Sequence, residues 1–361
     1  MQESHRTNFT ENKRIKVVFM IPSLVAGGAE KVFAYVSQNL SSDKFSTTLL
    51  VMGKSEQTTY SVDNVPVIYL GKSRVLHAIP SLFHFLSRNK PDIVLSSVGH
   101  LNMVSGFFAL LFPSIRFVIR PTNIESKEVG GWLVKKCFSQ VDAVICQSQD
   151  MADNFKKLYN TSTDKICIIG NPITNPDEIN VVDSIEKNHN FITVGRLSKI
   201  KGHARILRIL ARLNKKFHYT IIGDGPERDN LRAQANELNL DSKITYISYT
   251  DEVNKYLVQN DLFLQGSFSE GFPNAVLESC TMGTPALAFD VPGGTKEIIE
   301  HDKNGYLVKN ETEYLRILAA DHNWKRSDVR NSVLSNFSSE IVIDKYEKLI
   351  LSVVSSTTNE N

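Results

Sequence analysis

Cysteine is scarce in this chain of 361 residues, and no two cysteines have the spacing of a metal or redox motif. None of them forms a Cys-x-x-Cys pair, and no regularly spaced histidines accompany them. Disulfide-stabilised domains and cysteine-ligated zinc sites need such pairs. We therefore predict buried free thiols in a reducing compartment for Cys137, Cys146, Cys167 and Cys280.

Long apolar runs and a strong excess of one charge are also missing. No run of about 18 or more apolar residues occurs, so no membrane-spanning helix is predicted. The formal net charge is +2, which gives no general reason to expect a nucleic-acid partner. Residues 1–14 are polar without a secretory signal pattern, and we predict a disordered leader there and a polar tail over 355–361.

Apolar strands alternate with helical segments in two successive series. The first series covers residues 15–170, with about seven predicted strands, and the second covers residues 191–336. The polar, acidic stretch 171–190 between them predicts an interdomain linker. A last helix with a period near 3.6 is predicted over 337–354. The pattern indicates an α/β protein with two Rossmann-like, doubly wound domains.

The segment 269–279, which reads SEGFPNAVLES, organises the second series. The apolar run 262–264 before it predicts a buried parallel strand. Gly271 and Pro273 favour a sharp turn after that strand. Asn274 is a favourable N-cap residue, and 275–282 is predicted as a helix.

Two glutamates occur on either side of this predicted helix start. A helix N-terminus presents free N–H groups and partial positive charge, which suit a phosphate. Glu270 lies in the loop and Glu278 about one turn into the helix. Carboxylates on both sides of a phosphate describe a site for a diphosphate with a sugar at each end, a sugar nucleotide. The alternative is that Glu278 is a solvated helix residue and Glu270 an ordinary loop carboxylate.

Two glutamates separated by seven residues, with Gly-Phe-Pro-Asn between them, resemble the signature of family-4 glycosyltransferases. That family has the GT-B fold, in which two Rossmann-like domains face each other across a cleft, and the resemblance extends over residues 15–350. It implies that Glu270 contacts the transferred sugar, that Glu278 binds the nucleotide ribose, and that transfer retains the anomeric configuration. It also implies that the helix over 337–354 returns to the N-terminal domain.

Two turns of the second series suit a nucleoside diphosphate. Arg196 and Lys201 lie in the strand-to-helix turn GRLSKIKG, where two cations and free N–H groups can bind one anion. Taken alone, they could equally form a surface charge cluster. The turn resembles the diphosphate-binding turn of the family, and the turn at Gly223 resembles its nucleotide-facing turn. Further donor contacts are implied for Gly271, Phe272, Pro273 and Asn274.

The first series offers weaker candidates at its strand ends. Gly27 and Gly28 follow the first strand, where they are either a tight packing turn or, by resemblance, a loop facing the donor phosphates. His100 follows another strand and either has no role or, by resemblance, contacts the transferred sugar as a second catalytic residue. Arg120 and Asn123 lie at the end of a third strand and could bind acceptor hydroxyls or phosphate, or only cap their loop.

No Asp-x-Asp triplet occurs in the chain. Glycosyltransferases of the other common fold use that triplet to hold a metal on the diphosphate. We therefore predict transfer without a metal or other cofactor, with Arg196, Lys201 and the helix N-terminus stabilising the leaving diphosphate. Glu270 would orient sugar hydroxyls, and the leaving phosphate would take the proton of the incoming hydroxyl.

Two segments of the first series combine basic and apolar residues. Residues 73–90 interleave arginine, lysine and histidine with leucine and phenylalanine, and residues 103–112 are apolar and aromatic. Either they are helices that pack on the sheet, or their exposed faces lie in a bilayer interface. The second reading suits an enzyme that works on a lipid-linked acceptor.

The resemblance thus implies a glycosyltransferase of bacterial surface glycan assembly. The expected donor is a nucleotide sugar, with UDP-hexose or UDP-hexosamine favoured. The expected acceptor is a polyprenyl-linked saccharide at the inner face of the cytoplasmic membrane. Two alternatives stay open: a sugar-nucleotide epimerase or hydrolase, and a protein that senses a sugar nucleotide without turnover.

Overall fold

A computed structural model describes residues 14–25, 27–124, 131–174 and 189–356. Almost all of the predicted leader, most of the predicted linker and most of the predicted tail lie outside these ranges. Within them, two parallel sheets with helices between successive strands confirm the predicted α/β class.

The first sheet has seven strands in the order β3-β2-β1-β4-β5-β6-β7. The apolar runs predicted as strands are found here, because strands covered on both faces are built from continuous hydrophobic segments. The strands are β1 (Ile15–Ile21), β2 (Phe45–Val51), β3 (Val67–Tyr69), β4 (Ile93–Ser97), β5 (Arg116–Arg120), β6 (Ala143–Cys146) and β7 (Ile166–Ile168). Their helices are α1 (Gly28–Asn39), α2 (Val75–Asn89), α3 (Gly99–Leu111), α4 (Gly131–Ser139) and α5 (Gln149–Tyr159).

The second sheet has six strands in the order β10-β9-β8-β11-β12-β13. Its strands are β8 (Asn190–Val194), β9 (His218–Ile222), β10 (Ile244–Ile247), β11 (Leu262–Gln265), β12 (Ala286–Phe289) and β13 (Gly305–Val308). Its helices are α6 (His203–Leu210), α7 (Arg228–Glu237), α8 (Val253–Gln259), α9 (Asn274–Thr281), α10 (Thr295–Ile298), α11 (Glu311–Ala319), α12 (Arg326–Phe337) and α13 (Ser339–Ser355).

Each sheet has one point at which the strand order changes direction. In the first sheet this switch point lies between β1 and β4, and in the second it lies between β8 and β11. Loops that leave such neighbouring strands diverge at their carboxyl ends, and ligands of open α/β sheets bind there. The topology therefore selects the loops after β1, β4, β8 and β11 as the places for a site.

Two apolar layers cover the second sheet. One face packs Phe191, Tyr219 and Leu264 against α6, α7 and α11. The other packs Ile192 and Phe263 against α9 and α12. Successive residues of a strand point to opposite faces, so each strand contributes to both layers. This double burial fixes the strand ends on which the site residues are carried.

The described chain divides into two compact units. The first comprises the chain up to Arg120, Gln140–Asp142 and the chain from Ile350 onward. The second comprises Pro121–Ser139 and Ala143–Leu349, so it contains the whole six-stranded sheet.

Two local predictions are wrong. The last helix does not begin at Phe337: α12 ends there, and α13 starts after Ser338, whose φ and ψ of −56° and 154° break the helix. Ser338 Oγ then accepts from the N–H of Ile341, so this serine caps the new helix. Of the four free cysteines, three are buried as predicted, but Cys167 is partly exposed. No helix among the described residues is long and apolar enough to cross a membrane.

Candidate active site

Glu270 is the centre of a buried polar cluster at the switch point of the second sheet. Its side chain is 8% exposed, although it follows β11 in a loop. Lys201 Nζ donates to both carboxylate oxygens, at 2.7 Å to Oε1 and 2.9 Å to Oε2. Gln265 Nε2 donates to Oε1 at 3.3 Å, and Ser267 Oγ donates to the same oxygen. Such a carboxylate is held in one orientation by one cation and two neutral donors.

The two oxygens of this carboxylate are not equivalent. Oε1 accepts from Lys201, Gln265 and Ser267, whereas Oε2 accepts only from Lys201 among the described residues. A carboxylate oxygen has two lone pairs, so three donors saturate Oε1, whereas a single donor leaves one lone pair of Oε2 unused. Oε2 is therefore the oxygen that can accept a hydrogen bond from a ligand hydroxyl.

Close backbone contact brings Lys201 to Glu270. Lys201 ends a short 3₁₀ turn after β8, and Gly202 follows it at φ +62°. A Cβ at Gly202 would lie 1.8 Å from the carbonyl oxygen of Gly266, so only glycine allows this approach. The N–H of Phe268 also donates to the carbonyl of Ile200 at 2.8 Å. The loops after β8 and β11 are thereby joined.

Arg196 and Lys201, the two cations predicted to bind one anion, differ in their partners. Lys201 is ion-paired with Glu270, whereas the side chain of Arg196 is exposed and has no hydrogen bond or ion pair among the described residues. Arg196 is nevertheless anchored through its backbone, because its carbonyl accepts from His203 Nε2 at 3.4 Å. Arg196 thus remains available to an anionic ligand.

His203 is a member of this cluster that the sequence did not single out. It is 3% exposed, and its Nδ1 has no hydrogen-bond partner among the described residues. Burial lowers the pKa of His203 to about 4, so the ring is neutral at physiological pH. A neutral imidazole that donates through Nε2 supports the Arg196 backbone without adding charge beside Lys201. No sequence signal reveals this, because a histidine after Lys-Gly reads as a surface residue.

Helix α9 carries the second predicted carboxylate. Glu278 is exposed and lies one turn after the first helical residue, as predicted. The predicted N-cap is wrong: Pro273 is the N-cap, without a side-chain hydrogen bond, and Asn274 is the first residue of the helix. The Asn274 carboxamide oxygen instead accepts from Asn171 Nδ2 at 2.6 Å. The first N–H groups of α9 are therefore not occupied by an N-cap side chain.

Phe272, a predicted donor contact, is a core residue. Its ring is 8% exposed and packs edge-on against Phe337 at 5.4 Å between centroids. Gly271 and Pro273 on either side are also buried. The side chain of Phe272 therefore anchors the turn, and a donor contact from this residue would have to come from its backbone.

A glycine pair after β12 completes the loop around Glu270. The N–H of Glu270 donates to the carbonyl of Pro292 at 3.1 Å, and the N–H of Gly294 donates to the carbonyl of Gly271 at 3.0 Å. A Cβ at Gly293 would lie 1.6 Å from the carbonyl oxygen of Glu270. The signal in the sequence for Gly293 and Gly294 is their position shortly after a buried apolar strand.

Gly223, the predicted nucleotide-facing residue, lies against the turn that begins at Gly195. Gly223 has φ +145°, and a Cβ there would lie 1.9 Å from the carbonyl oxygen of Gly195. The loops after β8 and β9 thus touch through glycine backbones. This contact fixes the start of the turn that carries Arg196.

Three candidates of the first unit occur at its own switch point or next to it. Gly27 is the N-cap of α1 and Gly28 its first residue, but a Cβ at Gly27 would meet the carboxylate of Glu30 at 2.4 Å. The acidic side chain thus already lies over this helix start. His100 is exposed in the first turn of α3. The first unit therefore offers an accessible imidazole and a helix start that carries its own carboxylate.

The two tentative acceptor residues differ in exposure. Arg120, in the first unit, is 1% exposed, contacts the Phe33 ring and donates to Ser97 Oγ at 3.4 Å. Its packing is that of a core residue. Asn123, in the second unit, is exposed. Their roles stay predictions.

The described residues contain no group of three or more His, Cys, Asp or Glu side chains arranged to hold a metal ion. The polar cluster instead consists of one carboxylate, one ammonium, one carboxamide, one hydroxyl and one neutral imidazole. With the exposed Arg196 and Glu278, these groups can bind hydroxyls and a diphosphate. Such a site on a Rossmann-like domain fits a ligand that carries both hydroxyls and a diphosphate.

Comparison with known proteins assigns this site to a family. The model "Glycosyltransferase Family 4" matches residues 26–174, and the model "Glycosyl transferases group 1" matches residues 175–319. The chain belongs to the family-4 glycosyltransferases and has their GT-B fold of two Rossmann-like domains. It is therefore a transferase enzyme, as predicted.

A relative with a known activity supports the assignment. The N-acetylgalactosamine-N,N'-diacetylbacillosaminyl-diphospho-undecaprenol 4-alpha-N-acetylgalactosaminyltransferase of Campylobacter jejuni is 25% identical over 323 residues, which cover 82% of this chain and 87% of the relative. Other relatives are named for amylovoran biosynthesis in Erwinia amylovora and for lipopolysaccharide core biosynthesis in Rhizobium meliloti. This chain is a glycosyltransferase of polysaccharide assembly.

Solved structures share the fold. The apo lipopolysaccharide outer core galactosyltransferase WaaB superposes with a TM-score of 0.79 at 18% identity, covering 94% of this chain and 99% of that one. The Anabaena protein HepE in complex with UDP gives the same TM-score and identity, with coverage of 94% and 100%. At this level of identity the likeness shows the fold alone.

Proposed function

We propose that this enzyme moves a hexose or N-acetylhexosamine, with retention, from a UDP-sugar to a lipid-linked saccharide. The observation that carries the proposal is the Glu270 carboxylate, fixed by three donors at the switch point and left with a free acceptor position on Oε2. A carboxylate arranged in this way fits the hydroxyls of a sugar rather than a metal ion.

Different residues of the second unit bind the sugar, the ribose and the diphosphate of the donor. A sugar hydroxyl donates to Glu270 Oε2, and the ribose hydroxyls donate to Glu278 on α9. The diphosphate binds Arg196, whose side chain has no partner among the described residues. It also binds Lys201, which leaves Glu270 when the anion arrives. Preorganised cations favour the step in which charge develops on the leaving diphosphate.

In the transfer step, the bond between the anomeric carbon and the diphosphate oxygen breaks, and a bond to the acceptor oxygen forms on the same face of the sugar. The proton of the acceptor hydroxyl passes to the departing diphosphate oxygen. Once Lys201 has turned to the diphosphate, Glu270 is held by Gln265 and Ser267; it orients the sugar and does not attack the anomeric carbon. No step requires a metal.

Names of similar proteins support the choice of substrates. The Campylobacter relative is named for a diphospho-undecaprenol acceptor and an α-linked product, and the Anabaena structure contains UDP. A lipid-linked acceptor would place the enzyme at the inner face of the cytoplasmic membrane as a peripheral protein.

A donor screen tests the proposal. The protein is incubated with UDP-, GDP- and ADP-sugars in EDTA, with and without a polyprenyl-diphosphate-linked sugar, and release of nucleoside diphosphate is measured. Release that needs one UDP-sugar and the lipid acceptor, with an α-linked product from an α-linked donor, is expected. A β-linked product would refute retention, and loss of activity in EDTA would refute metal independence.

Each alternative has its own signature in the same assay. Release without acceptor would identify a hydrolase, and donor interconversion an epimerase. Tight donor binding without turnover would identify a sensor.

Glu270→Gln and Arg196→Ala should each lower transfer at least about a hundredfold, as loss of one preorganised electrostatic contact does. Lys216→Ala, a change at an exposed cation in the same unit, is the matched control and should transfer at the wild-type rate.

A further inference from the structure

Helices α2 and α3 of the first unit expose an apolar face without any acidic side chain. Apart from Asn89 at its end, the exposed residues of α2 recur at helical spacing along one side: Leu76, His77, Pro80, Phe83, His84, Ser87 and Arg88. Leu76 is 71% exposed and Phe83 47%. The opposite side of α2 buries Ala78, Leu82 and Leu86. One side of α2 therefore packs within the first unit, and the other side is exposed.

The end of α3 extends the same face. Phe83 packs against Phe112 at 5.2 Å between ring centroids and lies 6.5 Å from Phe108. Beside these rings, Phe107 is 44% exposed and Leu111 is 48% exposed. An apolar cluster of this kind on a chain surface marks an interaction site rather than scattered surface residues.

Helix α2 and the residues that flank it carry charge of one sign. From Asn64 to Ile124 the only acidic residue is Asp92, and its carboxylate accepts from the N–H of Lys16 at 2.7 Å. Four cations lie on α2 or next to it: Lys72, Arg74, Arg88 and Lys90. A depression of about 530 Å³ on this side of α2 is lined by His84, Arg88 and Asn89, among others. The face therefore complements an anionic surface.

We propose that this α2–α3 face docks the enzyme on a bilayer that contains anionic phospholipid. The inference rests on the proposed function, since it names the surface that brings the enzyme to a lipid-linked acceptor. Phe83, Phe107 and Leu111 enter the interface between headgroups and acyl chains, and Arg74 and Arg88 pair with lipid phosphates. A protein partner that fits the α2–α3 face would need acidic residues around an apolar centre.

Vesicle flotation of the full chain tests the proposal without donor or acceptor. Vesicles of phosphatidylcholine, alone or with phosphatidylglycerol, are compared at low and high salt. Binding is expected only with phosphatidylglycerol and should weaken as salt rises, because salt screens exposed charges. One elementary charge is worth about fivefold in binding to an anionic surface. Because Arg88→Glu changes the charge by two, it should weaken binding about 30-fold. Phe83→Ser and Leu111→Ser should each weaken it about tenfold.

Matched changes outside this face separate docking from a general loss of charge or apolar surface. Lys216→Glu makes the same change in net charge, and Leu351→Ser removes a leucine that is 39% exposed on α13. Both should bind vesicles as the wild type does. Transfer to a short water-soluble acceptor should be unchanged in all five variants. This assay distinguishes failure of docking from failure of the proposed transfer.

Three results would overturn the proposal. One is equal binding to vesicles with and without phosphatidylglycerol. Another is wild-type binding by Arg88→Glu, Phe83→Ser and Leu111→Ser together. The third is a dimer by light scattering that Phe83→Ser converts to a monomer, since a second copy of the chain would then cover this face.

Discussion

The ion pair between Lys201 and Glu270 makes a quantitative prediction about the free enzyme. At 2.7 Å and an effective permittivity of about 20, the Coulomb attraction is about 6 kcal/mol. Desolvation of a carboxylate that is only 8% exposed offsets most of this, and Lys201 itself is 33% exposed. We expect a coupling free energy of about 2 kcal/mol from a double-mutant cycle with Lys201→Met and Glu270→Gln.

Fluorescence-monitored denaturation measures this coupling in the right part of the molecule. The chain has two tryptophans, Trp132 and Trp324, and both belong to the unit that contains the ion pair. Trp324 packs against Tyr306 at 5.4 Å between ring centroids, so its emission should change when that unit unfolds. Additive single mutants, within about 0.5 kcal/mol, would refute the ion pair as a stabilising contact in the free enzyme.

The same cycle repeated with saturating UDP tests the proposed exchange of partners. If Lys201 turns to the diphosphate, its coupling with Glu270 should fall by at least half in the complex. Unchanged coupling would mean that Lys201 stays with the carboxylate, and the diphosphate would then depend on Arg196 and the N-terminus of α9.

Three further predictions concern single residues. Gln265→Leu should lower kcat for transfer about tenfold with little change in KM, because Glu270 loses a donor that fixes its orientation. The pKa of His203 is lowered from 6.5 to about 4, so as pH falls the imidazole is protonated in the unfolded chain before it is protonated in the folded chain. The free energy of unfolding should therefore fall by about 3 kcal/mol between pH 6.5 and 4. His203→Gln should remove this contribution of the imidazole to the loss of stability. Gly202→Ala should destabilise the chain by more than about 2 kcal/mol, since the new Cβ meets a backbone carbonyl, whereas Gly99→Ala, with nothing within 4 Å, should not.

Each of these three predictions has a measurement that would contradict it. For Gln265→Leu it is a steady-state assay in which KM rises and kcat is unchanged, since that would indicate loss of binding rather than of orientation. For His203 it is a set of denaturation curves from pH 7 to 4 that are identical in wild type and His203→Gln. For the glycines it is equal unfolding free energies of the two alanine variants.

Sequence alone determined the local elements and the candidate residues of this protein. Apolar runs predicted the buried strands, because a strand covered on both faces must be hydrophobic throughout. The segment 269–279 located Glu270, and its helix placed Glu278 one turn further on, since both follow from residue order along one loop and one helix. Backbone breaks at single residues were harder: Ser338 ends one helix and caps the next, but the apolar periodicity continues through it.

Tertiary structure decided which of these residues meet. Lys201 and Glu270 are 69 residues apart, and only the strand order, with β8 beside β11, brings their loops together. The burial of Phe272 and His203, and the role of Gly202 beneath a carbonyl of another loop, likewise depend on neighbours distant in sequence. Sequence patterns record the face of a helix or the end of a strand. The pairing of buried charge with its counter-ion is set by packing between segments, and no local pattern contains it.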